Sequence, residues 1–253
     1  MDRPATKDRP DPVFALGFAV ARDDAAARMR RWIKGRRMAP FGLKGKTAEG
    51  VRGVYLPTYL YSAAAHTAYS ASIAEHYKDN DKKRKTEYRD LHGRHATYVA
   101  DILVTASRGI PNEEVEGVEP FDLGDLVRFT PGVVSGWIAE EPSLSRDECR
   151  ELARTEARGR VGALLRDFLP GDGVRGLQHR TDLEDESTDL TLVPVWVFAI
   201  RYDERKPPIR VLVNGQTGRV FGKVPFSWAK LGLIALGVVT LIGLVRLAAW
   251  LLP

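Results

Sequence analysis

The side chains best placed to do chemistry are cations. Residues 25–48 hold Arg28, Arg30, Arg31, Lys34, Arg36, Arg37, Lys44 and Lys46, with no acidic residue among them. So dense a cluster repels itself unless something anionic balances it. Three kinds of partner would do so. Anionic lipid head groups are worth about 1 kcal/mol per basic residue near the surface. Nucleic-acid phosphates would bind with a steep salt dependence. The third possibility is a solvated or internally paired face, with Asp182, Glu184, Asp185, Glu186 and Asp189, which crowd one expected hairpin tip, supplying part of the pairing.

Other candidate sites have bland accounts. Gly45, Lys46 and Thr47 match the end of a phosphate-binding loop, but Pro40 stands where that motif needs its first glycine. The motif also requires a strand before it and a helix after it, whereas here a helix precedes. His92 and His95, with His66, His76, Asp90 and Asp101 nearby, supply metal-ligand types. Strand residues three apart face opposite sides, however, so the pair could not clamp one ion without a bulge at Gly93. The acidic segment 182–189 matches no calcium-loop spacing. Asn214 and Gly215 suit a tight hairpin turn, with Gly218 at a bulge. No nucleophile-elbow or zinc-protease pattern occurs. The expectation is a protein without catalytic residues, metal or cofactor.

The elements that must position the basic run can be read in order. The twelve-residue lead-in, 1–12, is charged and proline-rich and reads as disordered. Residues 13–21 are a strand-length apolar run, followed by a helix at 25–34 with Asp23 or Asp24 as its cap. Residues 51–65, 66–77 and 86–105 read as strands, with a charged turn at 78–85. A short strand at 133–139 leads to a helix that Ser145 and Glu148 open as a capping box, running to Phe168. Strands follow at 177–181, 188–202, 209–213 and 219–222. The order strand, helix, antiparallel meander thus occurs twice. That predicts an α+β fold with two repeats, 13–131 and 132–225, in which Pro57 and Pro194 take edge or strand-entry positions.

The segment after the second repeat, 226–253, is strongly apolar. Trp228 to Trp250 would span about 33 Å as a helix, close to bilayer thickness, with both indoles at interfacial depth. A buried core helix is the alternative. The expectation is one C-terminal transmembrane helix. Basic residues on its N-terminal side (Arg210, Arg219, Lys223, Lys230) would place the domain in the cytoplasm, at the bacterial inner membrane. A net charge of +5 suits a lipid surface as well as nucleic acid. The single cysteine, Cys149, can form no internal disulfide and fits a reducing compartment.

Five phrases in fixed order, GVYLPTYLYSA, DILVTASRGIP, FDLGDLVRFTPGVVSGWIAE, LVPVWVFAIRY and VLVNGQTGRVFGKVPFSW, give a resemblance across residues 13–230. The chain resembles an uncharacterised bacterial membrane-anchored family whose members carry an N-terminal TFIIB-type zinc ribbon, often labelled primosomal helicase-like. The resemblance implies C-terminal membrane segments and transfers no catalytic residue. The ribbon is absent here, since the chain has no Cys-x-x-Cys pair, and Tyr59 stands where the family often has Trp. Together these readings predict a C-terminally anchored, non-enzymatic interaction or scaffold protein with an unknown protein partner. The alternative is a membrane-associated nucleic-acid-binding protein.

Overall fold

Two strands far longer than the sequence predicts carry the fold. The computed structural model describes residues 10–46, 48–78 and 84–251. Its elements are β1 (Phe14–Ala15), α1 (Arg22–Gly35), β2 (Gly50–Lys78), β3 (Arg84–Thr105), α2 (Asn112–Val118), β4 (Val127–Arg128), β5 (Ile138–Ala139), α3 (Arg146–Phe168), β6 (Gly173–Ile200), β7 (Ile209–Asn214), β8 (Val220–Gly222) and α4 (Trp228–Leu251). The class is α+β with a mixed sheet. The expected strands 51–65 and 66–77 are one strand, β2, and the acidic segment 182–189 lies inside β6 rather than at a hairpin tip. The expected turn and lead-in fall, at 79–83 and 1–9, outside the described residues.

The chain divides into two compact units, and they are interleaved rather than consecutive like the repeats 13–131 and 132–225. Unit one comprises Met1–Leu16, Tyr55–Glu116 and Leu123–Val193; unit two comprises Gly17–Val54, Gly117–Asp122 and Pro194–Pro253. The physical reason is strand length. Both β2 and β6 run on from one unit into the other.

In unit one, β2 and β3 pair antiparallel from Thr58↔Thr105 to Lys78↔Arg84, and β1 joins β6 in parallel. The β2–β3 register slips between Tyr61 and Ala63. There Asp101 takes a φ of 61°, a left-handed conformation Asp tolerates at a bulge. The capping box of α3 is present: Ser145 Oγ accepts from the Glu148 N–H, and the Ser145 N–H donates to Glu148 Oε2. Cys149, Ala153, Ala157, Val161 and Leu165, spaced by fours, bury one stripe against Tyr59, Tyr61, Ala63, Val99 and Ile102. The Cys149 thiol donates to Thr105 O, and burial, with Glu148 beside it, pushes its pKa up to about 11.

One ionic cluster ties α3 to the sheet. Arg154 grips Glu186 through two bonds of 2.8 and 2.6 Å, and the buried Tyr61 hydroxyl donates to the same carboxylate at 2.7 Å. Arg154 first, and Tyr61 after it, hold the Glu186 carboxyl down at about 2.

In unit two, Ala25, Met29 and Ile33 bury the inner stripe of α1 against Trp196, Phe198, Val211 and Val213. The helix starts at Arg22, with Ala21 rather than Asp23 or Asp24 in the cap position. Both aspartates instead occupy the first turn, where they complement the helix dipole. Trp196 Nε1 donates to Val20 O at 2.8 Å and fixes the entry to α1.

The C-terminal run forms α4, yet among the described residues no helix is long and apolar enough to cross a membrane. Lys230 and Arg246 bound its uncharged stretch, which covers about 22 Å of helix against the roughly 30 Å of a hydrocarbon core. Lys230 is moreover committed within unit two, donating to the carbonyls of Arg37 and Ala39. This corrects the expected transmembrane helix. The inner-membrane localisation and cytoplasmic orientation derived from it fall too.

Two outcomes follow. Glu186→Gln should lower stability at pH 7 by about 2 kcal/mol, measured by urea unfolding. Because the folded carboxyl titrates below its ordinary value of 4.5, the wild-type contribution is complete above that pH. It drains away as pH falls toward 2, and the variant should lose that part of the acid dependence. Cys149 should resist a thiol reagent at pH 8 in the native protein and react fully in urea.

Candidate polyanion-binding face

The seating of α1 decides where its charges go. With Ala25, Met29 and Ile33 inward, a rotation of 100° per residue puts Arg28 and Arg30 on opposite flanks and Arg31 and Lys34 outward. Arg36 and Arg37 follow the helix, Lys44 sits in the short turn Leu43–Gly45, and Lys46 comes just after it. All eight of these residues are exposed. Two ion pairs of unit two among the described residues, Arg201–Glu49 and Lys206–Asp203, involve none of them. Unit two has eighteen Lys and Arg against seven Asp and Glu, a net charge of +11, whereas unit one has twenty against twenty-six, or −6. The modest overall charge conceals this segregation.

Three of the cations share a groove. Arg28, Arg31, Trp32, Gly35 and Arg36 of the α1 region face Gly218 and Val220 across an open cavity of about 460 Å³. The Arg36 guanidinium lies over the half-buried Trp32 indole, 4.3 Å from the ring centroid. The sequence reading did not place Trp32 among the candidate residues; the available signal was its spacing of four from Arg36, one helical turn. The far wall is the turn from β7 to β8. Asn214 is buried there, and its Oδ1 accepts the N–H groups of Gln216 and Thr217 at 2.8 and 2.9 Å. Its Nδ2 donates to Val118 O and Pro120 O. The positive φ of this turn falls on Gly218, at 77°, not on Gly215. The Asn214 side chain closes the turn in place of a two-residue hairpin. A Cβ on Gly218 would stand 2.7 Å from the Arg28 guanidinium, so glycine lets the cation lie flat on the turn.

A second cavity, about 370 Å³, is lined by Arg36, Arg37, Met38, Val224 and Phe226 among others. The start of α4 closes the loop beside it, where the Ser227 N–H donates to Met38 O at 2.9 Å.

The other sequence candidates are dispersed or otherwise engaged. His76 Nδ1 meets Thr86 Oγ1 at 2.8 Å, His66 Nε2 lies 3.7 Å from Glu184, and His95 packs on the Phe168 ring. Among the described residues no three His, Cys, Asp or Glu could hold a metal ion. Glu186 belongs to the Arg154 cluster, and Asp189 accepts from Ser187. Gly45 and Lys46 follow no strand, and Thr47 lies outside the described residues.

No protein-family profile matches the chain, and no solved structure matches it. The chain is 23% identical over 228 residues to Uncharacterized protein YdjG of Bacillus subtilis (strain 168), a match covering 87% of this chain. It spans 65% of the length of that relative.

Gly218→Ala should cost about 1–2 kcal/mol of stability, the penalty of a left-handed alanine. Displacement of Arg28 should accompany it. Thermal unfolding reads the first effect and crystallography of the variant the second.

Proposed function

We propose that the chain is a non-enzymatic interaction module that holds an anionic macromolecular partner on the α1 face of unit two. The observation that carries this reading is the set of eight exposed cations on one segment, 25–48, that holds no acidic residue. Exposed like charges on one short segment destabilise the compact state. A bound polyanion removes that repulsion and releases its own counterions. The chemistry of the groove supports binding rather than turnover. Its polar side chains are guanidiniums, which stay protonated in proteins and cannot serve as nucleophile or general base. The scaffold role is that of a rigid surface, since Ala25, Met29 and Ile33 anchor the helix that presents the charges.

The test uses the purified full chain on an immobilised polyanion such as phosphocellulose. The wild type should be retained at low salt and elute as salt rises. The double variant Arg31→Glu, Lys34→Glu, at two exposed positions, should elute at markedly lower salt with an unchanged melting temperature. Equal elution of the two proteins would end the proposal.

A further inference from the structure

We infer that the groove between α1 and the β7–β8 turn is a site for single-stranded nucleic acid, with a base stacked on the Trp32–Arg36 pair and neighbouring phosphates on Arg28 and Arg31. This deepens the anionic-partner reading and rests on it. Contact with a featureless polyanion needs charge alone. This groove has charge and a stacking platform together, because a half-buried indole lines it with a guanidinium laid over the ring. One face of that guanidinium is taken by Trp32, and the residue as a whole is exposed. Unpaired bases stack on aromatic rings and on arginine planes alike, whereas a carboxylate side chain gains nothing from the ring.

The strand must be single. In a duplex both faces of each base are already covered by neighbours, and the platform would have nothing to receive. The dimensions agree with a polymer. Arg28 and Arg36 are separated by about 12 Å along the helix axis, more than one phosphate can occupy, and the cavity of about 460 Å³ is open rather than closed around a small ion. Outside the groove, Lys34 and Arg37 continue the cationic track. The turn wall is rigid where the contact is made, since Asn214 bonds both within the turn and to residues 118 and 120.

The probe is a fluorescein-labelled oligothymidylate of about 20 nucleotides at about 50 mM salt, read by anisotropy against the full chain, with polyglutamate and a duplex of equal length as competitors. Trp32→Leu, which keeps the apolar packing and removes the ring, should weaken the oligonucleotide at least about fivefold. Trp32→Phe should restore most of that loss, and polyglutamate should be indifferent to both changes. The wild type should prefer the single strand over the duplex. Circular dichroism verifies folding. Should Trp32→Leu unfold, Arg36→Ser at an exposed position carries the test, with a larger loss expected for oligothymidylate than for polyglutamate. Equal losses for the two polymers, or a preference for the duplex, would overturn the nucleic-acid inference and leave the anionic-partner reading standing. Failure of the wild type to bind any polyanion would remove both.

Discussion

The packing of one helical stripe governs the functional surface. Ala25, Met29 and Ile33 give α1 its fully buried line against the sheet of unit two, with Ala26 and Trp32 packed partly buried beside it. Every other side chain of the helix must then lie on a flank or face outward. Trp32, on the flank, is half-buried and lines the groove. Arg28, on the same flank, settles against the glycine of the β7–β8 turn. The Trp196 bond to Val20 sets the point at which the helix begins. Moving that point by one residue would rotate the whole cationic set by 100°.

The two helices that cover the sheets handle charge in opposite ways. On α3, cations are neutralised locally. Arg150 pairs with Asp147 and Arg160 with Glu156 one turn away, and Arg154 reaches Glu186 on β6. Three of the arginines of α3 are thus paired within unit one. On α1 the acidic residues stop at the first turn and the basic ones continue past the last. An economical fold would intersperse the signs, because exposed pairs on a helix surface stabilise it slightly. The imbalance on α1 is what the proposed binding role rests on.

What the sequence made legible, and what it hid, divides along local and non-local lines. The capping box, α3 to Phe168 and the pairing of β7 with β8 were readable, because each is decided within a few residues. The two long strands were not. Residues 65 and 66 have no glycine or proline to mark continuity or break, and the run of Ala, Thr and Ser on β2 satisfies either reading. In β6 the acidic residues 182–189 suggested a tip, yet Leu183 and Thr188 lie inward among them in a strand. The interleaving of the units follows from those strand lengths and was hidden with them. The basic residues were legible as a cluster. The groove was not, since its far wall lies some 190 positions further along.

The Asn214–Gly215 turn has a bearing on how long the protein lasts. An Asn-Gly pair is the dipeptide most prone to spontaneous deamidation, in which the glycine nitrogen attacks the asparagine amide carbon to form a succinimide. Here that nitrogen donates to Pro194 O at 2.8 Å, and the amide is buried and engaged through both its oxygen and its nitrogen. The nucleophile is occupied and the electrophile cannot swing toward it. The same bonds that shape the groove wall therefore shield it from chemical ageing, and while the fold holds, the turn keeps a neutral amide where deamidation would leave a carboxylate.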